Sequence, residues 1–458
     1  MAEKTNNFDL SGEKTESLCP RCLKVVEAVR VTRGNDVFLK KNCPQHGTFE
    51  TIIWRGNPEF DTWRVDKIHS KPNQPFTNVE RGCPYDCGPC GDHLLNPCCV
   101  LLEVTQRCDS KCPICFADSN SHPARDPSLE EIAGWYQRLL ETKTSLNIQL
   151  SGGEPTLRDD LADIIRMGKA AGYSYFQLNT NGLRIADDLD YLKGLKEAGL
   201  SSVFLQFDGL KEETWLAIRG KSCLSKKIQA IQNCAGLDIG VVLVPVIIPG
   251  INDDEIGEIL KFAIQRHPGV RGIHFQPVSY FGRFPTAPQN EDRITLPEII
   301  TKLEQQSQGM VKMGDFKPSQ AEHARCTFSA NFIVQEGGVL KPASQPQANQ
   351  CCCQPVNAEG ARVRAQSFVA RSWSMPAGAS LKPSPEQNSF DLWDEIVNAS
   401  KRKSFAISAM AFQDAWTIEL ERLRECKIFV LSPDQRLIPF CAYNLTGMDG
   451  NSLYRGCI

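Results

Sequence analysis

The stretch Val100-Leu101-Leu102-Glu103-Val104, followed after three residues by Cys108-Asp109-Ser110-Lys111-Cys112-Pro113-Ile114-Cys115, decides how the chain is read. An apolar run of five residues reads as a buried strand. It ends in three cysteines spaced C-x3-C-x2-C. Three thiolates on one tight loop can hold three irons of a [4Fe–4S] cube and leave the fourth iron open to a ligand. Downstream lies Gln149-Leu150-Ser151-Gly152-Gly153-Glu154-Pro155, a second apolar run ending in a turn with a carboxylate.

Outward from that pair the chain repeats one pattern. Strands are expected over 100–104, 145–150, 175–178, 202–207, 239–247 and 272–276, with amphipathic helical stretches over 129–141, 161–171 and 189–198. Each strand ends in polar or glycine residues: the cysteine loop, Gly152-Gly153-Glu154, Asn179-Thr180-Asn181-Gly182, Asp208-Gly209, Gly250-Ile251-Asn252-Asp253 and Pro277-Val278-Ser279. Six such units predict an α/β fold, a partial parallel (β/α)6 barrel, with its chemistry at the C-terminal ends of the strands, where the loops converge.

The chain has 458 residues, a formal net charge of −3 and twenty cysteines. The charge gives no field that would favour nucleic acid or an anionic membrane. The cysteines cluster at two- and three-residue gaps, which suits metal ligands rather than disulfides. With a polar N-terminus lacking an apolar signal segment, they point to the reducing cytoplasm. No run reaches the roughly 18–20 apolar residues of a membrane span; the valine- and isoleucine-rich stretch 239–251 reads as a buried strand.

Four regions follow. Residues 1–60 carry Cys19-Pro20-Arg21-Cys22 and Cys43-Pro44-Gln45-His46 across a hairpin-like stretch, a four-ligand knuckle for zinc or a mononuclear iron; residues 1–17 are expected to be disordered. Residues 61–99 repeat the C-x3-C-x2-C spacing at Cys83, Cys87 and Cys90, with Cys98 and Cys99 behind. They read as an auxiliary [4Fe–4S] site whose fourth ligand is Cys98, Cys99 or a distant cysteine, with Cys99 the preferred candidate, or as a second zinc site. Residues 100–310 form the barrel, in which Cys223 and Cys234 are expected to be buried structural thiols. Residues 311–458 form a C-terminal extension in which Cys326, Cys352 and Cys441 are candidate ligands of a second auxiliary cluster, and Cys426 could ligate or simply pack. Residues 409–426 are expected to be helical, followed by a hairpin.

The cysteine loop after strand one, Gly-Gly-Glu after strand two and polar ends on the next four strands together resemble the radical S-adenosylmethionine (radical SAM) superfamily. The second triplet, the knuckle and the ending Ile438-Pro439-Phe440-Cys441-Ala442-Tyr443-Asn444-Leu445-Thr446 are similar to one branch of it, that of the class D pterin methyltransferases and tetraether lipid synthases. The resemblance implies that Cys108, Cys112 and Cys115 hold the cluster. It places S-adenosylmethionine against Gly152, Gly153 and Glu154, with Glu154 accepting from its ammonium group, Ile114 packing near the adenine, and Asn179, Asn181, Asp208 and Gln276 making further contacts. It implies reductive cleavage to a 5′-deoxyadenosyl radical and attack on an unactivated C–H carbon, by methylation or C–C bond formation. The substrate would be a small molecule or lipid-like, and the electron donor of ferredoxin or flavodoxin type. A peptide-modifying maturase is the alternative enzyme. A multi-cluster electron carrier would explain the cysteines but not Gly152-Gly153-Glu154, and a nucleic-acid-binding knuckle lacks the basic, aromatic surface it would need.

Overall fold

The computed structural model describes residues 12–121, 125–343, 355–375 and 403–457. The N-terminal ribbon is a four-stranded antiparallel sheet of β1 (Glu13–Leu18), β2 (Val25–Arg33), β3 (Asp36–Cys43) and β4 (Gly47–Trp54), paired in sequence order. Residues 13–17, expected to be disordered, are instead strand: Glu13 to Leu18 pair with Arg30 to Val25. The polar face of β1 hid this, because the strand is fixed by its inner residues, with Ser17 and Leu18 fully buried.

The barrel strands are β5 (Cys99–Thr105), β6 (Asn147–Gly152), β7 (Phe176–Thr180), β8 (Ser202–Gln206), β9 (Gly240–Val244) and β10 (Val270–Pro277). They lie side by side in sequence order and are all parallel. The expected strand over 239–247 is interrupted at Pro245, which has no N–H to donate; its carbonyl accepts from Gln276, and pairing resumes at Val246–Ile247. Helices cover one face, packing against Ile148, Leu150, Leu178, Leu205 and Phe275 in one large apolar core. The first of them starts at a reciprocal capping box, formed by Ser128 and Glu131 on the helix Leu129–Leu140.

Four of the strands from residues 311–458 that enter this same sheet frame the barrel. β11 (Thr327–Val334) runs antiparallel to β12 (Ser404–Met410), and β12 lies parallel to β10. At the opposite edge β13 (Ile428–Leu431) lies parallel to β5 and forms a hairpin with β14 (Leu437–Pro439). Eight consecutive strands are therefore parallel. The expected helix over 409–426 is a strand end, a loop and a short helix, Leu420–Arg424. Phe405, Ile407 and Ala409 alternate into the core, a period of two that a search for helical spacing passes over. Asp414 then stops any helix by accepting at Oδ1 from Trp416 N, Thr417 N and Thr417 Oγ1.

The helix Ala358–Trp373 lies across the N-terminal ends of the strands. Arg362 donates to the carbonyls of Pro97 and Ser145, Gln366 accepts from Ser145, and the carbonyl of Ser372 accepts from Arg271. Trp373 lies with Phe204 and His274 on the face of the sheet away from the outer helices, with ring centroids 5.0 and 6.3 Å from theirs. One end of the barrel is thereby floored, and the end carrying the loops is left for chemistry.

Candidate active site

The three-thiol loop is held from four directions. Asn120 closes its base, accepting from Cys108 N at 3.0 Å and donating to Cys108 O at 2.8 Å. From the segment after β10, Arg283 pairs backbone to backbone with Cys115, and its guanidinium donates to the carbonyls of Cys112 and Ser119. Gly282, at φ +53°, is required there, since a side chain would run into the carbonyl oxygens of Cys115 and Phe116. From the far end of the chain, Arg455 pairs with Glu103 on β5 and donates to Ala117 O. Arg219 makes a bidentate pair with Asp208, at 2.7 and 2.9 Å, and lies against Cys112. Three guanidinium groups, those of Arg219, Arg283 and Arg455, thus bring positive charge to a loop whose function would require thiolates. Burial pushes the Cys108 thiol up to about 12, with Glu154 and Asp109 adding to it. A positive metal cluster is the counter-charge that would deprotonate it. Three sulfurs on one exposed-ended loop, with no fourth cysteine beside them in sequence, fit a cluster with one open iron.

The Gly152-Gly153-Glu154 turn packs against the stem of the cysteine loop. The close approach its glycines permit is to the chain itself. A Cβ on Gly152 would collide with Thr105 O and one on Gly153 with Arg107 O. Gly153 N and Glu154 N donate to those same two carbonyls, each at 2.8 Å. The turn is therefore stitched to the stem of the cysteine loop. Glu154 is buried, and its carboxylate accepts from Thr156 N, Thr156 Oγ1 and Thr180 Oγ1 at Oε1 and from Asn181 N at Oε2. Burial pushes its carboxyl up in spite of these bonds. Four protein donors leave Oε2 one lone-pair position for an ammonium group.

The remaining expected contacts separate into two sets. Asn181 reaches the cysteine loop, donating to Asp109 Oδ1 at 2.6 Å. Asn179, which donates to Gln149 Oε1 at 3.0 Å, and Gln276 lie on the sheet face opposite the outer helices, and Ile114 is half-buried against the apolar cluster that includes Phe281 and Phe440. Asp208 does not offer its carboxylate to a ligand. It is fully buried, and its oxygens are taken by Arg219 and by Val246 N. Its chemistry is to position Arg219, which the strand-end spacing gave no means of anticipating. Lys227, also missed, is fully buried and donates to Asn181 O and to Gln206 Oε1.

Burial pulls the Lys227 ammonium down to about 8. Its ordinary value is near 10.4, so between pH 8 and that value the unfolded chain binds the extra proton and stability rises with pH. The stability difference between wild type and Lys227→Met is expected to grow in favour of wild type across this window, by roughly 3 kcal/mol at most. Paired thermal melts from pH 7 to 10 measure it; a difference that stays flat or falls would contradict the assignment.

Cys83, Cys87 and Cys90 line one cavity with Asp92, His93 and Arg424. Their loop is drawn tight by Asp86 Oδ2, which accepts from the backbone N–H of Glu80, Arg81 and Gly82. Tyr454 seals it, accepting from Cys87 N and donating to Pro84 O. Cys99, expected as the fourth ligand, does not line this cavity. It is the first residue of β5, and its thiol is neighboured by Cys98 and Cys426. His93 does line it; its Nε2 lies 2.6 Å from Cys426 O, which leaves Nδ1 as the acceptor nitrogen, and burial holds the ring neutral with its value near 4. Cys326 and Cys441 are brought together with Cys426 as a third thiol, each bearing electrostatically on the others. Cys352 lies outside the described residues. Cys223 and Cys234 are buried in the main core.

In the ribbon, Cys19, Cys22, Cys43 and His46 place their ligand atoms within 4.8 Å of one another. His46 Nδ1 is 3.4 Å from Cys19 Sγ and 3.5 Å from Cys43 Sγ, and Cys22 Sγ is 3.9 Å from Cys43 Sγ. A tetrahedral zinc with bonds of about 2.0–2.3 Å requires edges of roughly 3.5–3.8 Å, so the four groups fit the ion as they stand. Removal of the metal by a chelator, or Cys19→Ser, is expected to expose residues 12–55 to trypsin while leaving the barrel resistant, as read by mass mapping of the fragments. An unchanged digestion pattern would mean that the ribbon folds without metal.

Comparison with known proteins gives the family. The radical SAM superfamily model matches residues 102–263, and a model described as the HMPTM N-terminal zinc ribbon domain matches residues 12–55. The 7,8-dihydro-6-hydroxymethylpterin dimethyltransferase of Methanocaldococcus jannaschii is 35% identical, over 94% of this chain and 93% of its own length. The chain belongs to that family, within the radical SAM superfamily. This radical SAM protein also resembles the GTP 3′,8-cyclase of Nautilia profundicola, at 27% identity over 57% of the chain and 78% of the cyclase. Among solved structures, Streptococcus suis SuiB bound to its precursor peptide SuiA superposes with a TM-score of 0.39 at 14% identity, over 47% of this chain and 46% of that one. The radical SAM family implies a [4Fe–4S] cluster and S-adenosylmethionine. The zinc-ribbon match and the four clustered ligands support an additional metal site, and among the described residues no helix is long and apolar enough to cross a membrane.

Proposed function

We propose that this protein methylates an unactivated carbon of a small, planar, polar heterocycle of the pterin kind. The observation that carries this is the inner face of the sheet. Gln149, Gln177, Asn179, Gln206 and Gln276 alternate with Ile148, Leu150, Leu178, Leu205 and Phe275, which pack under the outer helices. The amides therefore project to the other side, where Asn179 bonds to Gln149 and accepts from Gln177 at 3.0 Å. Paired amide donors and acceptors suit the edge of a fused heterocycle; an acyl chain would leave them unsatisfied. Below them Phe204, His274 and Trp373 form an aromatic floor, and the Trp373 indole N–H is buried with no partner among the described residues. The name of the Methanocaldococcus relative supports the same substrate class.

In this reading Cys108, Cys112 and Cys115 hold the catalytic cluster, and the turn at Gly152 to Glu154 fixes the loop while Glu154 Oε2 receives the ammonium group of S-adenosylmethionine. The cluster and S-adenosylmethionine supply one-electron cleavage of a sulfonium bond and the power to remove hydrogen from an inert carbon. Cys83, Cys87 and Cys90, completed by His93 Nδ1, would hold an auxiliary cluster, and Cys326, Cys426 and Cys441 three corners of another. A reduced ferredoxin or flavodoxin would supply electrons.

The test is anaerobic reconstitution, reduction with dithionite and incubation with S-adenosylmethionine and 7,8-dihydro-6-hydroxymethylpterin. Formation of 5′-deoxyadenosine together with a methylated pterin is expected; S-adenosylhomocysteine beside them would identify a second S-adenosylmethionine as the methyl donor. Deoxyadenosine without any change in the pterin would overturn the substrate class and leave the radical chemistry standing.

A further inference from the structure

A second cavity lies at the same end of the sheet as the three-thiol loop, and the proposed chemistry does not use it. Pro277 and Val278 wall it at the end of β10, and Phe412 walls it just past the end of β12. Three arginines, Arg293, Arg325 and Arg422, line it as well. They reach it from segments far apart in sequence, so no local motif announced the site.

Its charge is unbalanced. Arg293 is 5% exposed and Arg422 6%. Asp414 takes both terminal nitrogens of Arg293, at 2.9 and 3.3 Å. Glu419 is shared between Arg422, at 3.1 Å, and Arg30, at 2.5 Å. Arg325 has no carboxylate within ion-pair distance among the described residues; its guanidinium lies 3.5 Å over the ring of Phe60. Arg422 also donates to Cys326 Sγ at 3.4 Å, so four guanidinium groups face two buried carboxylates and one thiol. Glu13 and Glu421, the other acids on Arg30, have side chains 61% and 42% exposed. The hydrogen-bond inventory shows the same deficit. The Nε–H of Arg293, of Arg325 and of Arg422 is each buried without a partner among the described residues. One orphaned guanidinium N–H is unusual; three around one cavity, with excess positive charge, describe donors waiting for an acceptor.

We propose that this cavity binds an oxyanion of the phosphate class, received by the Nε–H groups of Arg293, Arg325 and Arg422. A tetrahedral oxyanion has enough lone pairs for all three, and guanidinium is the side chain suited to it. Resting on the pterin reading, a phosphate ester on the substrate's hydroxymethyl arm is one source of the anion; free phosphate is the other.

The full-length, anaerobically reconstituted protein is titrated calorimetrically with inorganic pyrophosphate. Saturable binding at one site per chain is expected, weakened about tenfold or more by Arg325→Gln, which removes a donor without stranding an acid. Arg325→Lys keeps the charge over Phe60 and covers the case in which the glutamine variant does not fold; it too should bind several-fold more weakly. Arg33→Gln, on an exposed guanidinium paired with Glu50, should bind as wild type does. Displacement of pyrophosphate by the phosphate ester of the pterin alcohol, and not by the alcohol, places the anion on the substrate; displacement by inorganic phosphate but by neither of these identifies free phosphate. No saturable binding to wild type, or equal binding by the Arg325 variants, overturns the proposal, and neither result bears on whether 5′-deoxyadenosine is formed.

Discussion

Alanine at Cys108, Cys112 and Cys115 is expected to bring 5′-deoxyadenosine formation down to the level of a protein-free control, whereas alanine at Cys83, Cys87 and Cys90 leaves cleavage measurable. The two triplets share one spacing, so the difference must come from their surroundings. The first lies behind β14, with Leu437 N bonded to Gly88 O and Tyr454 closing the loop, and its cavity is walled by protein on several sides. The second leaves β5 beside the turn at Gly152 and Gly153, and Asn181 from the end of β7 reaches it. Only the second has the oxygen and amide groups of three strand ends around it, which an open iron and a charged methionyl group both need. Iron and sulfide counts check that each triple variant has lost one cluster and not all of them. Equal loss of cleavage in both variants, at equal residual iron, would sink the distinction.

What could be read from the sequence is what repeats or is spaced locally. The alternation of apolar runs with amphipathic stretches gave the six barrel strands, and tight cysteine gaps marked three of the thiol groups. Three other things escaped. Strand β12 is seven residues of small and apolar side chains, Ser404 to Met410, and its identity depends on partners around residues 274 and 329 rather than on its own pattern. The charges that hold the cysteine loop come from pairs distant in sequence, Arg455 with Glu103 and Arg283 with the Cys112 carbonyl. Each arginine alone looks like a solvated surface residue. Asp208 shows the converse error: a carboxylate at a strand end invites a ligand contact, but complete burial requires a cation, and Arg219, eleven residues on, supplies it.

Gly153 carries the second large effect. The resemblance marks this turn as a contact for S-adenosylmethionine; what forbids a side chain there is tertiary structure. Gly153 has ordinary φ, so alanine there is not strained by its own backbone. The obstacle is steric: its Cβ would run into Arg107 O and crowd Gln106 O. Relief by sliding the chain is blocked, because Gly153 N and Glu154 N are both bonded to the segment the Cβ would strike. One side must give way, and the other side is the stem of the cysteine loop. Gly153→Ala is expected to cost about 2 kcal/mol of stability or more and, with the stem displaced, to lower cluster occupancy and with it 5′-deoxyadenosine yield. Gly134→Ala is the matched control. It sits inside the helix Leu129–Leu140 with nothing near its missing Cβ, so it should be neutral or stabilising by roughly 0.5–1 kcal/mol. Denaturant titration gives the stabilities, and iron per chain with the cleavage assay gives the rest. If Gly153→Ala kept full iron and full cleavage, the turn would not be what holds the cysteine loop in place, and the glycines would have to be explained by close approach to S-adenosylmethionine after all.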